Sequence, residues 1–272
     1  MLIPSPSLPA LKDRFPFRLG TTSYILPDAI VPNVRFTGPF VDEVELVFFE
    51  SRFADNLPTH KEIEELSGLT GEYNLSYNVH LPTDVFLGHP DSGMRRQACD
   101  TILRFYERTL PLHPTLYVLH LEKNTPGDTK HVNTPDWQVN LLSSLENLLE
   151  RGMQRNLLGI ENIDYPFRWI YPLIREFGLS ICLDIGHLLA EQENLTAYIE
   201  AYGEDIAMLH LHGVADRKDH RSIQEISHDD WHTISEFLIN YRGGVSLEVF
   251  SLEDLTTSME RMSDLRRDLW RK

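Results

Sequence analysis

The segment "CLDIGH" (182–187) puts Asp184 at the end of an apolar run and His187 three residues later. A carboxylate and an imidazole at that spacing can hold a divalent cation. They are equally at home in an ordinary strand end. What gives the pair weight is that other apolar runs end in the same residue types. "NVHLP" ends in His80, "VLHLE" carries His120 and Glu122, and "GIEN" carries Glu161. "LHLHG" carries His210 and His212, and "SLEVF" carries Glu248. Residues two apart in a strand share a face, so His210 and His212 point the same way, as do His120 and Glu122. Carboxylates gathered at one end of a sheet repel one another unless cations sit among them. Mixed with neutral imidazole they suit Zn²⁺, Mn²⁺ or Fe²⁺. Taken singly, each has a bland reading: a strand-end histidine is usually a hydrogen-bonded structural residue, and a strand-end glutamate often caps a helix. Repetition over six runs argues for a shared metal site.

The elements that must position these residues are short apolar runs alternating with longer amphipathic ones. Eight strands are expected, over 18–24, 41–49, 74–81, 115–121, 157–162, 179–185, 206–212 and 245–250. Between them, Thr59 with Glu62 reads as a capping box. Leu141, Leu145, Leu148 and Leu149 make one helical stripe, and Gly178 reads as a helix C-cap. The proline-rich stretch after the first strand leaves room for a short helix, and the last segment reads as a long amphipathic one. Eight strand–helix units in series predict a single (β/α)8 TIM barrel over 17–272, with 1–16 as a flexible N-terminal arm. A doubly wound open sheet is the alternative, but the chain has neither GxGxxG nor GxxxxGK[ST]. In a barrel the chemistry sits at the C-terminal strand ends, where the His, Asp and Glu residues fall.

Bulk properties narrow the partners. The 272 residues carry a net charge of −16, which disfavours a nucleic-acid backbone and favours a small molecule. Cys99 and Cys182 stand far apart in no CxxC pattern, as expected for a reducing compartment. The N-terminus lacks the pattern of a secretory leader, and no run is long and apolar enough for a membrane span, so a cytoplasmic setting is expected.

Residues away from the strand ends carry less. His60, His89, His113, His131, His228 and His232 read as solvated loop or helix-surface histidines. Glu45, within "VELVF", reads either as a buried structural acid or as a partner to a ligand. The loop "GVADRKDHRSIQEI" places Asp219 and His220 next to each other among Arg217, Lys218 and Arg221. It reads as a solvated charged loop, or as a further cation pair with arginines that orient a phosphate.

The ordered set His80, His120, Glu161, Asp184, His187, His210, Asp219, His220 and Glu248 resembles the xylose-isomerase-like barrel superfamily, and within it the endonuclease-IV-type branch. That branch separates its loop pair by one residue, whereas Asp219 and His220 are contiguous. The sugar isomerases and epimerases of the superfamily are similar at Glu161, Asp184, His187, His210 and Glu248, and do not generally use His80, His120 and His220. The opening "RLGTTSYILPDAIVPNVRF", followed by "VDEVELVFFES", resembles the cobamide-remodelling phosphodiesterases.

This resemblance implies hydrolysis of a phosphoester in the nucleotide loop of a cobamide, releasing cobinamide phosphate and the lower-ligand riboside. It implies two or three divalent cations per chain, Zn²⁺ foremost, held by those nine residues, with Glu161 and Glu248 central to catalysis. His210 rather than His212 matches the family's ligand. Arg217 or Arg221 would clamp a phosphoryl oxygen. The rival expectations are a single-metal sugar isomerase or epimerase, with Glu161 and Glu248 as the proton-shuttling pair, and a non-catalytic corrinoid- or sugar-binding barrel. An abasic-site endonuclease is disfavoured by the charge.

Overall fold

The apolar runs become strands because each is dominated by residues that pack well on a pleated, fully covered surface. In the computed structural model, which describes residues 8–53, 56–123 and 134–269, they are β1 (Arg18–Thr22), β2 (Glu43–Val47), β3 (Ser76–His80), β4 (Tyr117–Leu119), β5 (Leu158–Glu161), β6 (Ser180–Asp184) and β7 (Ile206–Leu211). The eighth barrel strand is β10 (Gly244–Leu247). These eight close a parallel barrel in the order β1-β10-β7-β6-β5-β4-β3-β2. All eight expected strands are present, trimmed at their ends. The loop after β7 holds one element that the sequence reading did not anticipate, an antiparallel hairpin of β8 (Gly213–Ala215) and β9 (Lys218–Arg221).

The connecting helices are α1 (Ile30–Thr37), α2 (His60–Tyr73), α3 (Ser92–Thr109), α4 (Thr134–Glu150), α5 (Tyr171–Phe177), α6 (Ile185–Ala190), α7 (Leu195–Tyr202), α8 (His228–Asn240) and α9 (Leu252–Leu269). The capping box of α2 forms in both directions. Thr59 N donates to Glu62 Oε2 at 2.7 Å, and Glu62 N donates to Thr59 Oγ1 at 3.2 Å. Leu141, Leu145 and Leu148 of α4 are fully buried, and Leu149 lies at the edge of that stripe. Gly178 ends α5 at φ 63°, a left-handed conformation that glycine adopts without steric cost. Among the described residues no helix is long and apolar enough to cross a membrane.

The chain divides into two compact units: residues 1–45, 68–76 and 184–272, and residues 46–67 and 77–183. In the first, the hydroxyls of Thr21 and Thr22 donate to Leu247 O and Val249 O, each at 3.0 Å, tying β1 to the end of β10. Asn33 Oδ1 accepts from Ile25 N and Leu26 N, so the proline-rich connection after β1 is held by one buried amide. Of the arm expected to be flexible, residues 1–7 lie outside the described residues. The packed part starts at Leu8: Leu8 and Leu11 are buried, and Leu11 N donates to Phe40 O at 3.1 Å. In the second unit the core is aromatic, with Phe48, Tyr77, Phe105, Tyr117 and Trp137 all nearly or fully buried. The Tyr77 hydroxyl meets its hydrogen-bonding need at Leu66 O, 2.9 Å away.

Candidate metal centre

In the unit 46–67 and 77–183, three successive strands supply three donors. His80 is the last residue of β3, His120 follows β4, and Glu161 is the last residue of β5. His80 Nδ1 lies 2.9 Å from Leu81 O, and His120 Nδ1 lies 3.1 Å from Glu122 Oε1. With Nδ1 of each ring turned to those acceptors, Nε2 is the atom left to face Glu161. Both Nε2 atoms face one oxygen: Glu161 Oε2 is 3.3 Å from that of His80 and 3.1 Å from that of His120. His120 Nε2 is buried and lies within ion-pairing distance of that oxygen. Two imidazole nitrogens converging on one carboxylate oxygen fit a shared cation, and the ligand atoms lie within 4.8 Å of one another. Burial alone would lower the pKa of His120. The Glu161 and Glu122 carboxylates outweigh it and raise the ring to about 10, so a cation competes with a proton there.

The unit 1–45, 68–76 and 184–272 holds a second, richer set. Asp184 caps α6: its Oδ1 accepts His187 N at 2.7 Å, which answers why the two stand three apart. The intervening Gly186 has a separate reason. A Cβ at that position would lie 2.0 Å from His212 Cε1, so only glycine leaves room for that ring. His212 Nε2 in turn lies 3.2 Å from the Asp184 carboxylate. Its Nδ1 accepts the His220 backbone N–H at 2.9 Å. Burial pulls the His212 pKa down, but Asp184 above all, with Glu248 behind it, raises it to about 9.

His210, fully buried, reaches carboxylates from both sides of its ring: Nδ1 lies 3.0 Å from Glu248 Oε2 and 3.9 Å from Asp184 Oδ2. Its Nε2 lies 3.0 Å from Oε1 of Glu45, also fully buried, which places Glu45 as a neighbour of a ligand candidate. His187, His212 and His220 form a three-imidazole group, also with ligand atoms within 4.8 Å of one another.

The hairpin β8–β9 delivers His220. Asp216 and Arg217 at its turn have φ 52° and 61°, and His220 itself has φ 51°. Two consecutive left-handed residues make the tight turn that suits a hairpin, and a non-glycine residue at positive φ inside a strand is strained. In that conformation the His220 ring lies against His212, with centroids 4.2 Å apart, and Nδ1 is 3.1 Å from Glu248 O.

The remaining expected site residues stand apart. Asp219 is half-exposed, 3.9 Å from His220 Nε2, and belongs to none of the donor groups among the described residues. The alternation of a strand explains this: the neighbour of an inward residue faces outward. Arg217 is exposed at the hairpin turn, and Arg221 pairs with Asp254 at 3.6 Å. Of the histidines read as solvated, His60, His113, His228 and His232 are exposed, His89 is half-buried and accepts Asp91 N, and His131 lies outside the described residues. Gly186 escaped the sequence reading. The only signal for it was a glycine between two candidate ligands.

Residues 41–267 match the xylose isomerase-like TIM barrel family. No curated protein matches the sequence. Among solved structures, a D-tagatose 3-epimerase-like protein is similar at 19% identity, over 93% of this chain and 98% of that one, with a TM-score of 0.75. Endonuclease IV from Thermus thermophilus is similar at 15% identity, over 92% and 99%, with a TM-score of 0.67. The IOLI protein, solved with a bound zinc atom, is similar at 14% identity, over 93% and 96%, with a TM-score of 0.68. Further similar structures are sugar epimerases. At such identities the likeness speaks for the fold. The family match covers most of the chain, and the chain belongs to the xylose isomerase-like TIM barrel family.

Proposed function

We propose that the protein is a metal-dependent phosphodiesterase acting on a small molecule. The observation that carries this reading is the convergence of His80 Nε2 and His120 Nε2 on Glu161 Oε2, in addition to the carboxylates and imidazole of Asp184, His210 and Glu248. A reaction in which charge develops on both an attacking and a leaving oxygen uses more than one cation. Divalent cations, when bound, supply Lewis acidity and make water nucleophilic at neutral pH. The residues' own part is to hold that charge in place. Leu81 O and Glu122 orient the first two imidazoles, and Asp184 is fixed by His187 N and His212. His187, His212 and His220 offer a third, all-imidazole set, suited to Zn²⁺ more than to harder ions. Arg217, exposed on the hairpin that carries His220, is a cation available to a phosphoryl oxygen.

The substrate assignment, a cobamide, rests on the resemblance of residues 18–36 and 41–51 to the cobamide-remodelling phosphodiesterases. Water adds across the bond between phosphorus and the riboside oxygen. The hydroxyl goes to phosphorus and the proton to the leaving oxygen, so cobinamide phosphate and the free riboside are the products. Incubation of the metal-loaded protein with an adenosylated cobamide, followed by mass analysis, tests it. Both products are expected, and an unchanged cobamide contradicts the assignment.

A second reading is a single-metal sugar isomerase or epimerase, in which Glu161 and Glu248 exchange a substrate proton. The sugar epimerases among the similar structures weigh on its side. The additional histidines His80, His120 and His220 weigh against it. Incubation with D-tagatose or D-psicose in D2O separates the two: deuterium incorporated into the sugar supports the epimerase.

A further inference from the structure

The loop that leaves β5 carries Tyr165, four residues after Glu161, and its side chain is the odd one out in its surroundings. The residue is 8% exposed, and its hydroxyl is a buried polar atom that makes no hydrogen bond among the described residues. Two tryptophans fix the ring. Trp137 meets it edge-to-face at 4.9 Å, and Trp169 lies parallel to it at 6.3 Å. Trp137 is itself pinned, its indole N–H donating to Glu122 O at 3.2 Å, and Gly88 is bare so that the indole fits. Lys123 Nζ sits over the Trp169 ring at 5.6 Å. An aromatic wall therefore adjoins the segment that carries His120 and Glu122.

A buried hydroxyl left without a partner costs about 1–3 kcal/mol, and such exceptions point to a missing partner. The charges that act on Tyr165 are the carboxylates of Glu122, Asp164 and Glu161. Burial first, and those charges next, hold its pKa well above the ordinary value, so the group is an O–H donor at any physiological pH.

We propose that the Tyr165 hydroxyl is a substrate-binding donor, giving its hydrogen bond to a phosphoryl oxygen held at the His80–His120–Glu161 set. This role rests on the phosphodiesterase reading above. The side chain supplies a neutral donor on a rigid ring and positions the anion without adding charge.

Tyr165→Phe removes one oxygen and leaves the ring in its stack. Two measurements on the full-length, zinc-loaded protein test the role: inorganic phosphate binding by titration calorimetry, and the melting temperature. The expected result is about tenfold weaker phosphate binding, the scale of one hydrogen bond to a charged oxygen, with the melting temperature kept or raised. Equal phosphate affinity in both proteins overturns the role of Tyr165 alone. A melting temperature lowered by several degrees at equal affinity does so too, and marks the hydroxyl as structural. Wild-type protein that binds no phosphate overturns the phosphodiesterase reading and this role with it.

Discussion

The donor set on β3 to β5 and the set on β6 to β10 solve one chemical problem in different ways. The first is built almost entirely from strand geometry. His80, His120 and Glu161 come from consecutive strands, and each imidazole is oriented by a group one or two residues away in sequence, Leu81 O or Glu122. The second depends on features between strands: a helix cap at Asp184, a bare glycine at 186, and a strained hairpin that carries His220. Local anchoring puts each orienting group of the first set beside the ring that it serves. The second set is richer in donors but depends on the backbone around it.

The largest expected effect strikes the first set. Glu161→Ala removes the oxygen on which both imidazoles converge, and turnover should fall by ~10³-fold or more, the scale lost when a group that stabilises developing charge is deleted. The protein should stay folded by circular dichroism. A soluble variant with full activity would break the account.

Gly186→Ala probes the second set at its backbone. The new methyl meets the His212 ring, and overpacking of this kind costs about 1–3 kcal/mol. Thermal unfolding should register that loss, and metal analysis should show depletion at the second set with the first still filled. A variant as stable as the parent would mean that His212 has room to move.

Glu122→Gln tests anchoring in the first set. The neutral amide can still accept from Nδ1 but no longer lends the ring its charge, and cation affinity should drop about 10–100-fold, as is usual for partners of metal-bound histidines. Equilibrium dialysis reads this directly, and unchanged affinity would show that the charge of Glu122 does not act through the ring.

The pH dependence follows from the same pair. In cation-free protein the His120 pKa is raised to about 10 by Glu161 and Glu122 against the pull of burial. The stabilisation from its proton is therefore full below its ordinary pKa of about 6.5 and is lost as pH rises through about 10. A cation displaces that proton more easily as pH rises, so the gain in melting temperature on adding metal should grow between about pH 7 and 9. A gain that shrinks over that window contradicts the assignment.

The smallest effect is expected at Asp219→Asn, which should change cation affinity by about twofold at most, since the side chain lies half-exposed and outside the donor groups. His220→Ala should do much more, and equal losses from the two would restore Asp219 as a ligand.

The same contrast explains what was legible in the sequence. Strand ends are visible as apolar runs stopped by His, Asp or Glu, so the barrel and the first set could be read from spacing alone. Glu248 and His210 were visible for the same reason. The hairpin was not, because its turn residues Asp216 and Arg217 are not the glycine or asparagine that usually announces one. Without the hairpin, Asp219 and His220 looked equivalent, whereas strand alternation sends one outward and one inward. The role of Gly186 depends on a ring twenty-six positions away and has no local signature. The Tyr165 hydroxyl likewise stands out only once its neighbours are in place.

The proposed function requires that the donor groups hold more than one cation per chain. Elemental analysis of purified full-length protein, beside His120→Ala and His210→Ala, tests it most directly. Two or more divalent ions per wild-type chain, with at least one lost from each variant, is the predicted result. A single ion in the wild type, or variants that keep the full complement, would contradict it.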